Sequence, residues 1–178
     1  MFSNKLVCDI ICFIDKDINR KVSISDIEDE FFYNRYYIMK LFKREIGVSI
    51  TNYVNSVRIY NSLFEIKNSD FSLLRIGLNN GFYSLEYFSE IFKKIIGVSP
   101  SVYRNFVIDR DLISFEEEKV ISDGISKLRE LVLRKEEYLS RVKPDRIMTK
   151  KLTIFGWLLV YFPTQKFLKR LSSSSSVY

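Results

Sequence analysis

Apolar residues recur along this chain at helical spacing, and they do so twice in the same phase. Tyr37, Ile38, Leu41 and Phe42 fall on one face of a helix, and Tyr87, Phe88, Ile91 and Phe92 repeat that face fifty positions later. The similarity extends past the apolar positions, because the stretch from Phe32 to Ser49 lies over the stretch from Phe82 to Ser99 without a gap, and Tyr53 lies over Tyr103.

Each copy carries its own punctuation. Asn34 and Ser84 are good N-caps, and Gly47 and Gly97 stand where a left-handed C-terminal residue is wanted, so helices are predicted at about 35–45 and 85–95. Upstream, Ser23 and Asp26 match a capping box that opens a short helix to about Phe31, and Ser72 caps a similar one through Leu73, Leu74, Ile76 and Leu78. A short helix, a turn and a longer helix therefore occur in both copies, over about 23–46 and 72–96. Ser49 and Ile50 restart a helix that Val54, Val57, Ile59, Leu63, Phe64 and Ile66 carry to about Lys67. Ser99 and Pro100 start another, with proline at the first position, where its missing N–H costs nothing. A leading helix from about Asn4 to Asp17 offers Leu6, Val7, Ile10, Ile11 and Ile14 to the first copy. Residues 1–107 thus read as an all-α module of seven helices, two helix-turn-helix units joined by a long linker helix.

The repeat stops beyond Asp109, and residues 108–178 read as a mostly helical C-terminal extension of unassigned role. Ile121, Ile125, Leu128, Val132, Leu139 and Val142 make a seam of alternating four- and three-residue steps, interrupted by Lys135 and ended by Pro144. Two partners for that seam stay open: a second copy of the chain through 112–142, or the apolar run from Leu152 to Phe162. That run is too short to span a bilayer and reads as a buried helix or strand, with interfacial membrane contact the weaker option. Ser172 to Ser176 read as a disordered end.

Composition narrows the chemistry. Apolar residues are 47% and aromatics 15% of the 178 residues, with charges interspersed, as in a globular protein. There is no histidine, which removes the usual neutral-pH acid-base group and the commonest metal ligand. No glycine loop that cradles phosphate, no metal-ligand cluster and no nucleophile-base pair is legible, so neither an enzyme nor a cofactor site is expected. Cys8 and Cys12 lie one turn apart on a helix face among Leu6, Ile11 and Phe13. They read as buried thiols in a reduced, cytoplasmic protein rather than as a two-cysteine metal site. The first five residues lack the marks of a secretory signal. A net charge of +6 favours anionic partners. Its distribution is uneven: residues 1–107 hold 14 Lys and Arg against 12 Asp and Glu, whereas 141–170 hold eight basic residues against Asp145 alone.

The second copy, with Gly81, Phe82, Ser84, Tyr87, Phe88, Ser89, Phe92, Lys93, Lys94, Gly97, Val98, Ser99, Pro100, Tyr103 and Arg104 at their spacings, resembles the DNA-binding domain of the AraC/XylS family of bacterial regulators. The resemblance runs from about Ser23 to Arg104 and includes Arg58 in the linker helix. It implies that the third and sixth helices enter successive major-groove segments on one face of double-stranded DNA. It also implies a regulator, an activator by preference, that touches RNA polymerase.

On that reading Arg35, Tyr36, Met39, Lys40 and Lys43 form the outer surface of the first recognition helix. Arg35 or Lys40 would pair with guanine, and Tyr36 or Met39 would pack on a thymine methyl. Asn34, Arg44, Ser84 and Lys94 are placed for phosphate. Leu85, Glu86, Ser89, Glu90 and Lys93 are the corresponding positions of the second helix. Glu90 stands where the first copy has Lys40, and with Glu86 it opposes phosphate, which leaves base reading by that helix in doubt, although a glutamate can accept from cytosine. Those two acids motivate an alternative, a protein-interaction module that has kept the fold and lost DNA reading. Glu28 and Gly77 occupy short-helix positions where the family prefers alanine, and Phe32 fills a turn position often held by a small residue.

Overall fold

A computed structural model describes residues 2–20, 22–109 and 112–142. The described residues form helices and connecting turns, with no strand among them: α1 (Phe2–Lys16), α2 (Ile24–Phe31), α3 (Arg35–Ile46), α4 (Ile50–Asn68), α5 (Leu73–Asn79), α6 (Leu85–Ile96), α7 (Pro100–Ile108) and α8 (Phe115–Val142). The first seven are the helices that the apolar periodicity predicts. The run from Leu152 to Phe162, the basic tail and Ser172 to Ser176 lie outside the described residues.

Local chemistry sets the ends of these helices. Ser23 accepts a hydrogen bond from the Asp26 amide while its own amide donates to the Asp26 carboxylate, which completes the capping box of α2. Asn34, Ser49, Ser72, Ser84 and Ser99 each accept from an amide in the first turn of the helix they open. Gly47 and Gly97 close α3 and α6 at φ 89° and 95°, a left-handed conformation that favours glycine. Phe32 closes α2 in the same region, at φ 57°, without that freedom.

The two units have separate cores. In the first, Val7, Ile10, Ile11 and Ile14 of α1 are fully buried with Ile27, Ile38, Phe42 and Ile46, and Phe42 meets Tyr53 of α4 edge to face. The second is richer in aromatics: Phe82, Phe88, Phe92 and Tyr103 form a chain of rings 5.2 to 5.7 Å apart. Gly77 belongs to this packing, since a Cβ there would come within 3.1 Å of Phe88. The helix propensity lost at Gly77 is set against the close approach of α5 and α6.

Arg58 on α4 ties the units together. Its guanidinium donates to the carbonyls of Ile18 and Arg20, after α1, and faces the ring of Phe82 in the second unit's turn. Gly81 lies against the backbone of Asn19 at the same joint, where a side chain would collide.

One compact unit runs through Tyr138, and a second begins at Leu139. Half of the α8 seam is covered within the single chain: Ile121, Ile125 and Leu128 are buried, with Gly124 and Tyr138 beside them, whereas Val132, Leu139 and Val142 are half-buried. α8 packs on the helix-turn-helix module. Lys135, the interruption of that seam, donates to Asp15 of α1 at 2.8 Å. Of the two cysteines, Cys8 is buried, Cys12 is half-buried, and neither is in a disulfide.

Candidate nucleic-acid interface

Amphipathic α3 turns Ile38, Leu41, Phe42 and Ile46 inward, which forces Arg35, Tyr36, Met39, Lys40, Lys43 and Arg44 onto the opposite, exposed surface. Tyr36 is 77% exposed and Met39 48%. Just before them Phe32 is 92% exposed, and Tyr33 stacks on Tyr37 with ring centroids 5.6 Å apart. Cationic and aromatic groups therefore alternate along one solvent-facing strip.

The cations on this strip are not equivalent. Glu28 of α2 binds Arg35 twice through the guanidinium, at 2.9 and 2.8 Å, and its other oxygen accepts from the Arg35 amide at 2.7 Å. The amide bond satisfies an N–H at the start of α3 that has no partner within the helix. The guanidinium hydrogen bonds hold the Glu28 carboxyl below its ordinary range, and Glu28 in turn raises Arg35. Arg44 is paired with its neighbour Glu45 at 2.7 Å. By contrast, Lys40 and Lys43 have no ion pair among the described residues. Of the two groups proposed to read guanine, Lys40 is free and Arg35 is shared with a carboxylate. Glu28 is not legible as the partner of Arg35 from the sequence, since a seven-residue separation across a turn has no helical periodicity to reveal it.

In the second copy Phe88, Ile91, Phe92 and Ile96 point inward. Glu86, Glu90, Lys93 and Lys94 are exposed, and Leu85 and Ser89 are half-buried. Ser84 caps the helix through the Tyr87 amide at 3.2 Å, and Tyr83 stacks on Tyr87 as Tyr33 does on Tyr37. Glu86 sits in the first turn, where its own backbone N–H and the Ser84 hydroxyl hold its carboxyl below the ordinary range. A carboxylate there complements the positive end of the helix, so Glu86 has a local structural partner. Glu90 has none among the described residues and lies in the middle of the outer face. The outer surface of α3 is cationic and aromatic, whereas that of α6 is acidic at its start and basic at its end.

Residues 27–105 match the family model of a helix-turn-helix domain. Two relatives are the transposon Tn10 TetD protein of Escherichia coli, 27% identical over 103 residues, and the HTH-type transcriptional activator AarP of Providencia stuartii, 25% identical over 103 residues. Each alignment takes in 58% of this chain, with 75% of TetD and 76% of AarP covered. A solved transcriptional regulator with an AraC-type DNA-binding domain, from Chromobacterium violaceum, superposes with a TM-score of 0.53 over 59% of this chain and 94% of that one; at 22% identity it speaks for the fold. With its repeated helix-turn-helix units, linker helix and cationic α3 surface, the chain is a helix-turn-helix DNA-binding transcription regulator, similar in fold to those of the AraC type.

Proposed function

We propose that the chain is a sequence-specific regulator, an activator by preference, that reads the major groove mainly with α3. The observation that carries this reading is the exposed strip on which Lys40 and Lys43, unpaired among the described residues, alternate with Tyr36 and Met39. Lys40 reaches base edges, Tyr36 and Met39 pack on thymine methyls, and Lys43 neutralises phosphate. Arg35 contributes charge and shape while Glu28 orients it. In the second unit, Lys93, Lys94 and the amides at the Ser84 cap hold phosphate, Leu85 and Ser89 line the groove, and Glu90 accepts from a cytosine or is silent. Asn34 and Arg44 flank the first unit's phosphates. Activation would come from a contact with RNA polymerase, a reading supported by the likeness to AarP. The work of such a protein places it with the chromosome, in the cytoplasm, and assigns it no reaction to catalyse.

Selection of bound fragments from a random duplex pool, followed by gel shifts at several salt concentrations, tests the assignment. Lys40→Ala reduces discrimination between selected and scrambled sites by roughly 1–3 kcal/mol. Lys43→Ala weakens binding to all duplexes alike and lowers the slope of log K against log salt by about one. Parent-like behaviour of both variants removes α3 from the interface. Failure of the parent to enrich any duplex favours the protein-interaction module instead.

A further inference from the structure

We propose that α8 is a splint that holds the two recognition helices at one separation, so that it sets which spacing between groove segments the protein accepts. This rests on the DNA-reading proposal above for its consequence, though not for its mechanics.

Four contacts follow one another along α8. Val120 lies against Gly97, the residue that closes α6. One turn on, Gly124 is buried where a Cβ would fall 2.5 Å from the Ile96 carbonyl oxygen, so the helix can seat only because that residue is glycine. Arg134 lies over Gly47, the residue that closes α3, at the negative end of that helix. Lys135 then reaches one oxygen of Asp15, whose other oxygen accepts from the hydroxyl of Tyr53. A single carboxylate thereby joins α1, α4 and α8.

The order of these contacts matters. Residues 120 and 124 touch the second unit and residues 134 and 135 the first, so α8 spans both units and runs antiparallel to α4, which leads from the first unit to the second. The contacts to Gly97 and Gly47 are fourteen residues apart, about 21 Å of helix. Without α8, the units are joined by α4 and by the Arg58, Asn19 and Gly81 joint, and α8 adds contacts at Gly47 and Gly97, the C-terminal ends of α3 and α6. A second brace at those ends resists the rotation that would change their separation. On DNA, one inserted base pair moves a groove segment by about 3.4 Å and turns it by about 34°, which a braced pair of helices cannot follow.

The test uses the full chain with Gly124→Leu, which blocks the seat at Ile96, and Lys135→Glu, which sets a third carboxylate beside Asp15 and Glu136. Lys135→Arg is the conservative control. In a Cys8→Ala, Cys12→Ser background, spin labels on Arg44→Cys and Lys94→Cys report the distance between the recognition helices with no DNA present. A narrow distribution is expected for the parent and for Lys135→Arg, and a broad or shifted one for both disruptive variants. An unchanged distribution in both overturns the splint. The unlabelled proteins are then titrated with the selected duplex carrying one base pair more or fewer between its halves. The parent should lose about tenfold in affinity and Lys135→Glu about twofold. A parent indifferent to spacing overturns the consequence for recognition, whereas a narrow distance distribution in a parent that binds no duplex rejects the DNA-reading proposal and leaves the brace standing.

Discussion

At the scale of single residues, repeated positions in this chain have different surroundings. Lys40 and Glu90 occupy matching sites with opposite charge, and Arg35 carries the pairing with Glu28 that no residue of the second unit reproduces at Leu85. Tyr53 and Tyr103 match as well, and both are fully buried. Tyr53 donates to Asp15, whereas the Tyr103 hydroxyl has no protein partner among the described residues. Burial raises both phenols above their usual range. A raised phenol stays protonated in the fold, so its contribution holds below the ordinary tyrosine value near 10 and is lost as pH climbs past it. Removing the unpartnered hydroxyl with Tyr103→Phe should therefore add about 1 kcal/mol at neutral pH and postpone alkaline unfolding. Thermal melts at pH 7 and pH 11 check both, and a loss of stability at each pH would contradict the account. Phe32 is the other strained residue, left-handed and almost wholly exposed. Phe32→Gly should raise stability by about 1 kcal/mol, since the ring packs on little and the backbone strain is removed. A chemical denaturation midpoint no higher than the parent's would mean that the ring contributes more than its exposure implies.

At the scale of elements, the caps explain why the boundaries of α2, α3, α4, α6 and α7 follow the sequence so closely. Each begins at a residue whose side chain takes up a first-turn amide, and α3 and α6 end at a glycine that turns left-handed. Those glycines have a second role, because α8 packs on both. At Gly97 an added methyl group would be strained at φ 95° and would collide with Val120, so Gly97→Ala should cost about 1–2 kcal/mol. The added group at Gly47 would meet only the movable end of Arg134. Gly47→Ala should therefore cost the strain alone and less than Gly97→Ala, an ordering that paired urea titrations measure directly. The reverse ordering would show that α8 does not press on the end of α6.

At the scale of the whole molecule, the described chain is a pair of helix-turn-helix units joined by α4 and braced by α8 within one compact unit that runs to Tyr138. The seven N-terminal helices, their caps, the repeat and the inward faces of α3 and α6 were all determined by the sequence alone. Apolar period, cap chemistry and left-handed glycines act within a few residues of one another, and the repeat states each of them twice. The resemblance to the family was legible for the same reason. What only the tertiary structure decided depends on residues far apart in the chain. Lys135 looked like a fault in a seam until Asp15, 120 positions away, proved to be its partner. The seam of α8 shows its apolar face in the sequence, but an apolar face specifies no partner, and its placement on the chain's own module follows from shape, above all from Gly124 fitting against the end of α6. The tie between Arg35 and Glu28 crosses a turn whose geometry, set by the left-handed Phe32, has no periodic signature. Local backbone preferences can be read one segment at a time, whereas pairing between distant side chains is settled only when the segments have packed.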